Sequence, residues 1–174
     1  MTCPLVKNYP VFQYTIAQLA KGILIGIFSM IISSTNSTFY EEHKIVSSDL
    51  IWPMKKAVSF DLNLQNLPQK QDHEISIHLR HHYYIDHNNI PLRIKIINKN
   101  KIQTKTYIIN IPLRDEENQI LGSAMGDIVD IVFTPRGKKA IEIYPGNYFI
   151  EITPATNKPV LNIMEVGLSI KAIN

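Results

Sequence analysis

The stretch AVSFDLNL, Ala57 to Leu64, decides the fold class. Val58, Phe60, Leu62 and Leu64 fall on one side of an extended chain, and Ser59, Asp61 and Asn63 on the other. That period of two marks a strand half-buried against a core; a helix would return its apolar residues every three or four positions.

The same alternation spreads outward in both directions. HEISIHLR turns Ile75, Ile77 and Leu79 inward, IPLRIKII turns Ile90, Leu92, Ile94 and Ile96, and TKTYIINIPL turns Tyr107, Ile109, Ile111 and Leu113. DIVDIVF (127–133), KKAIEIY (138–144), NYFIEIT (147–153) and IMEVGLSIKA (163–172) read as further strands, the last grouping Met164, Val166, Leu168 and Ile170. Turn signals separate them, among them Leu67-Pro68, Asp86 to Asn89, Pro135-Arg136-Gly137 and Pro145-Gly146. About eight short strands with no amphipathic helix predict an all-β chain, folded as a single antiparallel β-sandwich or jelly-roll-like domain.

The chain of 174 residues suits one such domain with a sizeable core. Its net charge of +3 is unevenly placed. Lys7 and Lys21 lie in an acid-free first 40 residues, so 16 basic residues face 15 acidic ones in the remainder. A nearly balanced body gives no electrostatic footprint for nucleic acid. The single cysteine, Cys3, precedes the strands, which excludes disulfides, thiolate metal sites and cysteine nucleophiles from the folded part.

Gly22 to Ile32, GILIGIFSMII, is an uncharged run behind Lys21 that ends in small polar residues. A positive flank, a short apolar run and a polar boundary are the parts of a secretory signal. The run is too short for the ~20 residues of a spanning helix. We therefore expect residues 1–38 to be a signal-like or signal-anchor leader, and 39–174 the folded domain. The tetrad Ile32-Ser33-Ser34-Thr35 would form a lipoprotein processing site if Thr35 were Cys.

Four histidines, His78, His81, His82 and His87, lie close in sequence. His78 and His82 share a strand face but stand ~13 Å apart at ~3.3 Å per residue, too far for two nitrogens ~2.1 Å from one zinc. His81 points to the other face, and no metal site is expected. Asp127 and Asp130 in GDIVD, three residues apart on a strand, would face opposite ways and make no glycosidase pair. Neither GxSxG, a P-loop, GxGxxG nor HExxH occurs. Trp52 is either a residue at the edge of the core or a stacking platform for a sugar, and the adjacent Tyr83 and Tyr84 point to opposite faces if extended.

The segments FYEEHKIVSSDLIWPMKKAVSFDLNL (39–64), LRHHYYIDHNNIPLRI (79–94), INIPLRDEENQILGSAMGDIVD (109–130), PGNYFIEI (145–152) and IMEVGLSIKAI (163–173) together resemble the gliding motility lipoprotein family GldH. The matching positions are Arg80, Tyr84, Asn89, Asp115, Gly122, Gly126, Asp127, Gly146, Tyr148, Val166, Gly167 and Leu168. Gly122 and Gly126 suit loop turns of positive φ, Pro145-Gly146 a type II turn, and Arg80 an outward position beside His78 and His82.

The resemblance implies a non-enzymatic envelope lipoprotein of the gliding apparatus, linked to type IX secretion. Its partners would be other envelope proteins, with no cofactor, metal, nucleic acid or small-molecule substrate. The alternatives are a secreted carbohydrate-binding sandwich and a glycosidase-like enzyme. Thr35 takes the place of the family's lipidated cysteine, followed by Tyr40-Glu41-Glu42 as the family pattern requires. A hydroxyl cannot form the thioether to diacylglycerol, so the domain is expected at the periplasmic side of a membrane, signal-anchored or released after Ser34 or Ser37. Radiolabelled palmitate fed to the native host should leave the protein unlabelled, and incorporation would overturn this reading of Thr35.

Overall fold

The computed structural model describes residues 38–68, 72–100, 103–137 and 140–173, and among them eleven strands and no α-helix. The strands are β1 (Thr38–Ile45), β2 (Ile51–Trp52), β3 (Val58–Asn63), β4 (His73–His82), β5 (Asn89–Asn98), β6 (Gln103–Pro112), β7 (Ser123–Met125), β8 (Ile128–Phe133), β9 (Asn147–Pro154), β10 (Val160–Leu161) and β11 (Ile163–Ala172). The expected leader, with Lys21 and Thr35, lies outside the described residues up to Thr38.

A five-stranded sheet runs β1-β11-β4-β8-β7, a four-stranded sheet β3-β9-β5-β6, and β10 pairs with β2. Every pairing is antiparallel. The two larger sheets share one core. The four-stranded sheet contributes Phe60, Leu62, Leu92, Ile94, Ile109, Ile111, Ile150 and Ile152; the five-stranded one contributes Ile75, Ile77, Leu79, Val129, Val166, Leu168 and Ile170. Each such side chain, fully buried, is worth about 1.5–3 kcal/mol of transfer free energy, so the period-two pattern both forms the strands and joins the sheets. Trp52 and Val160, in register across the short β2/β10 pair, are buried in the same core.

The sandwich and the inward sets of β3, β4, β5 and β6 follow the sequence reading, with Tyr107 only partly buried against the core. Three features differ. KKAIEIY contributes buried Ile141 and Ile143, but among its described residues, which leave out Lys138 and Lys139, the only ladder contact is an isolated bridge between Glu142 and Glu74. In β11 a bulge between Ile163 and Glu165 sets Ile163 opposite His81, so Ile163 takes the buried place assigned to Met164. Gly146 has φ 159°, not the value near +80° of a type II turn. Its N–H donates to Leu64 O and its carbonyl accepts from Leu64 N, which prolongs the β3/β9 ladder.

β1 carries no apolar alternation by which the sequence would announce it. Its less exposed side presents Tyr40, Glu42 and Lys44. Lys44 Nζ donates to Ser59 O and lies 5.1 Å from the Phe60 ring centroid, and the Tyr40 hydroxyl donates to Glu42. Inward-facing charges of this kind guard an edge strand against pairing with other chains.

Gly122 and Gly126 both have positive φ, 104° and 64°. A Cβ on Gly122 would lie 2.4 Å from the Asp130 carbonyl oxygen, whereas one on Gly126 would meet open space. Gly126 opens the two-residue β7/β8 hairpin, where positive φ at the first central position is the II′ pattern. Gly126→Ala is therefore expected to cost about 1–2 kcal/mol of backbone strain, and Gly122→Ala that strain plus a steric clash, more than about 2 kcal/mol in all. Urea unfolding of both variants checks the order.

Candidate functional site

The outward face of the five-stranded sheet is mainly polar, with the exposed Val132 in register beside His78, and its antiparallel register arranges it in rows. One row reads Glu165, Arg80, Asp130 across β11, β4 and β8. The next reads His43, Gly167, His78 across β1, β11 and β4, and the third Glu41, Ser169, Ser76. Alternation dictates this face: once Leu79, Val166 and Ile131 point into the core, their neighbours must point out.

Arg80 is held from both sides. Its Nε and NH2 donate to Asp130 Oδ1 and Oδ2 at 2.8 and 3.1 Å, and its NH1 donates to Glu165 Oε2 at 3.2 Å. The two-point bond to one carboxylate fixes the plane of the guanidinium. The Arg80 hydrogen bond holds the Asp130 carboxyl below the usual carboxylate range. His82 Nε2 lies 3.2 Å from Asp127 Oδ2. Asp127 belongs to the β7/β8 turn and not to a strand, so the two aspartates do not alternate along one strand as expected. Each is engaged by a basic side chain of β4.

Beyond β4 the chain turns through Tyr83 and Tyr84, both exposed. Their rings pack edge to face with centroids 5.6 Å apart, and Tyr84 also lies 5.3 Å from the His82 ring. Because the two tyrosines stand on a turn, they touch instead of pointing to opposite faces. Trp52 is fully buried and its Nε1–H donates to Lys56 O, so it is no platform for a sugar.

The remaining motif positions are spread through the fold. Asp115 organises the β6/β7 loop: its Oδ1 accepts from the N–H groups of Glu117 and Gln119 at 3.0 and 2.7 Å. Asn89 is exposed at the start of β5, paired in register with Pro112. Tyr148 is buried in β9 with its ring against Gly146, and Val166 and Leu168 are core residues of β11. Gly167 stands in register between His43 and His78, against the His43 ring and the His78 Cβ. The structure thus gathers Arg80, Tyr84, Asp127 and Gly167 along one sheet face and its adjoining turns, while the others shape loops or the core.

His78 and His82 do face outward with Arg80, and His81 points into the core, where its Nδ1 bonds His82 O at 2.9 Å. Burial pushes the pKa of His81 down, and that of His78 likewise, with the charge of His43 adding to the effect on His78. Sequence reasoning missed Glu165 as a partner of Arg80, named Glu41 only as part of the Tyr40-Glu41-Glu42 pattern, and missed His43. A signal existed only in the pairing order, which periodicity does not carry.

A family model described as GldH lipoprotein matches residues 38–170. A search of curated proteins returns no match. Among solved structures, similar chains are an exo-β-1,3-galactanase from Phanerochaete chrysosporium with galactose (6% identity, TM-score 0.36, 76% of this chain and 30% of that one) and dimeric latent PorU from Porphyromonas gingivalis (6% identity, TM-score 0.32, 79% and 13%). This chain thus spans less than a third of either, and likenesses this slight leave the sandwich to be described in its own terms.

Arg80 and Asp130 are half-exposed, so their bond is worth about 0–1 kcal/mol. Because the folded Asp130 pKa is depressed, that contribution stands above the ordinary carboxyl pKa of ~3.9 and is lost as pH falls through the lower folded value. Asp130→Asn should therefore be slightly less stable than the parent at neutral pH, the gap closing on acidification. Denaturant unfolding of both proteins across that range tests this, and a gap that widens in acid contradicts it.

Proposed function

The chain belongs to the GldH lipoprotein family, and from that premise we propose that it is a non-enzymatic interaction component of the cell envelope, serving gliding motility or the type IX secretion linked to it. The family match carries this reading, since it extends from the first residue of β1 to Ile170 near the end of β11. A lipoprotein family implies association with the envelope; the periplasmic side is our own assignment. The domain would dock to other envelope proteins while its leader keeps it at a membrane.

The character of the outward face supports docking. Tyr and Arg are the side chains that most often anchor protein interfaces. Here Arg80 is oriented before any partner arrives, which lowers the ordering cost of binding. Tyr83 and Tyr84 project beside it on a turn, with large exposed rings and few rotatable bonds. The alternatives draw less support: Trp52 is buried, and Asp127 and Asp130 are each bound to a basic side chain.

Deletion of the gene should impair surface motility or type IX secretion, or envelope integrity in a host that does not glide. Normal behaviour in all three assays would refute the proposal. Mild crosslinking of the native chain should recover envelope proteins, and Tyr84→Ser should reduce that recovery without changing the thermal midpoint.

A further inference from the structure

Glu41, His43 and His78 offer one ligand atom each, and these three atoms lie within 4.8 Å of one another. Among the described residues no other three such side chains come so close. The meeting is not local. His43 and Glu41 stand on β1 and His78 on β4, with β11 between them, so two inter-strand steps separate their backbones by ~9.5 Å.

Gly167 makes the contact possible. It is the β11 residue in register with both His43 and His78. A Cβ there would lie 2.6 Å from His43 Nδ1 and 3.0 Å from His78 Cβ. Without it the two rings close over the middle strand, edge to face, with centroids 4.9 Å apart. Glu41 Oε1 is already 3.2 Å from His43 Nε2. Beneath them buried Ser169 places its Oγ 2.7 Å from His78 Nε2. A ligating imidazole is usually fixed in tautomer and orientation by such a bond from its other side.

The geometry points to a binding site for a divalent ion of the zinc class, held by the imidazoles of His43 and His78 and the carboxylate of Glu41, with water in a fourth position. Imidazole and carboxylate are the donor set that zinc takes when three protein ligands leave one position open. Tetrahedral donors with ~2.1 Å bonds stand ~3.4 Å apart. The Glu41 and His43 atoms, 3.2 Å apart, already stand near that value, and both side chains are exposed and have room to turn. The limit that keeps His78 and His82 apart on one strand does not apply to His78 and His43 on strands two steps apart. A bound ion would clamp edge strand β1 to β4 across β11.

Calorimetric titration of the full chain with Zn²⁺ at neutral pH should show one saturable site per chain. His43→Ala and His78→Ala should each weaken it at least about tenfold, while His82→Ala binds like the parent. Gly167→Ala removes no donor but occupies the space of the His43 ring, and should weaken binding as well. Saturating zinc should raise the thermal midpoint of the parent and not of His43→Ala. His43 is exposed, so its variant tests the site even if His78→Ala folds poorly. No saturable heat, or an affinity that His43→Ala and Gly167→Ala leave unchanged, overturns the site.

Discussion

The structure depends on what β11 can carry on its two faces. Val166, Leu168 and Ile170 must point into the core to join the sheets, which commits Glu165, Gly167, Ser169 and Lys171 to the other side. Because β11 lies between β1 and β4, it determines which residues from the beginning of the domain meet which from its middle. A one-residue slip would send its apolar set to solvent. The register that buries the core therefore also places Glu165 beside Arg80 and Gly167 between His43 and His78.

Most of the framework was legible because burying one face of a strand forces a period of two. Phe60 in β3, Ile77 in β4, Ile94 in β5 and Ile150 in β9 announce themselves in this way. The failures have separate physical causes. β1 hides because the side turned toward the sandwich carries Tyr40, Glu42 and Lys44, whose polar tips reach one another, Ser59 O and the Phe60 ring at an open edge. Ile141 and Ile143 show the converse: their alternation is real and buried, yet one bridge is all the ladder that the described residues of their segment make. Met164 lost its place to Ile163 because a bulge inserts one residue, and alternation cannot foresee an insertion.

The outward face was legible one strand at a time. Alternation put His78, Arg80 and His82 on the same side, but what lies beside them is decided by neighbours far along the chain. Asp130 is 50 residues from Arg80 and Glu165 is 85. Gly167 illustrates the difficulty. A glycine inside a strand reads as a weak point or a close approach, and only the order β1-β11-β4 reveals that two histidine rings are what approaches.

The two faces carry different physical duties. Inward side chains contribute kilocalories each through burial, whereas exposed ion pairs such as Arg80 with Asp130 contribute about 1 kcal/mol or less. The sandwich can therefore keep its fold while its outward residues change. Arg80, the tyrosine turn and the histidine pair are held in register by a core to which they add little, and that independence makes the face suitable for recognition. Gly167 is the point where the duties meet, since its backbone continues the central ladder while its missing side chain leaves room above the sheet.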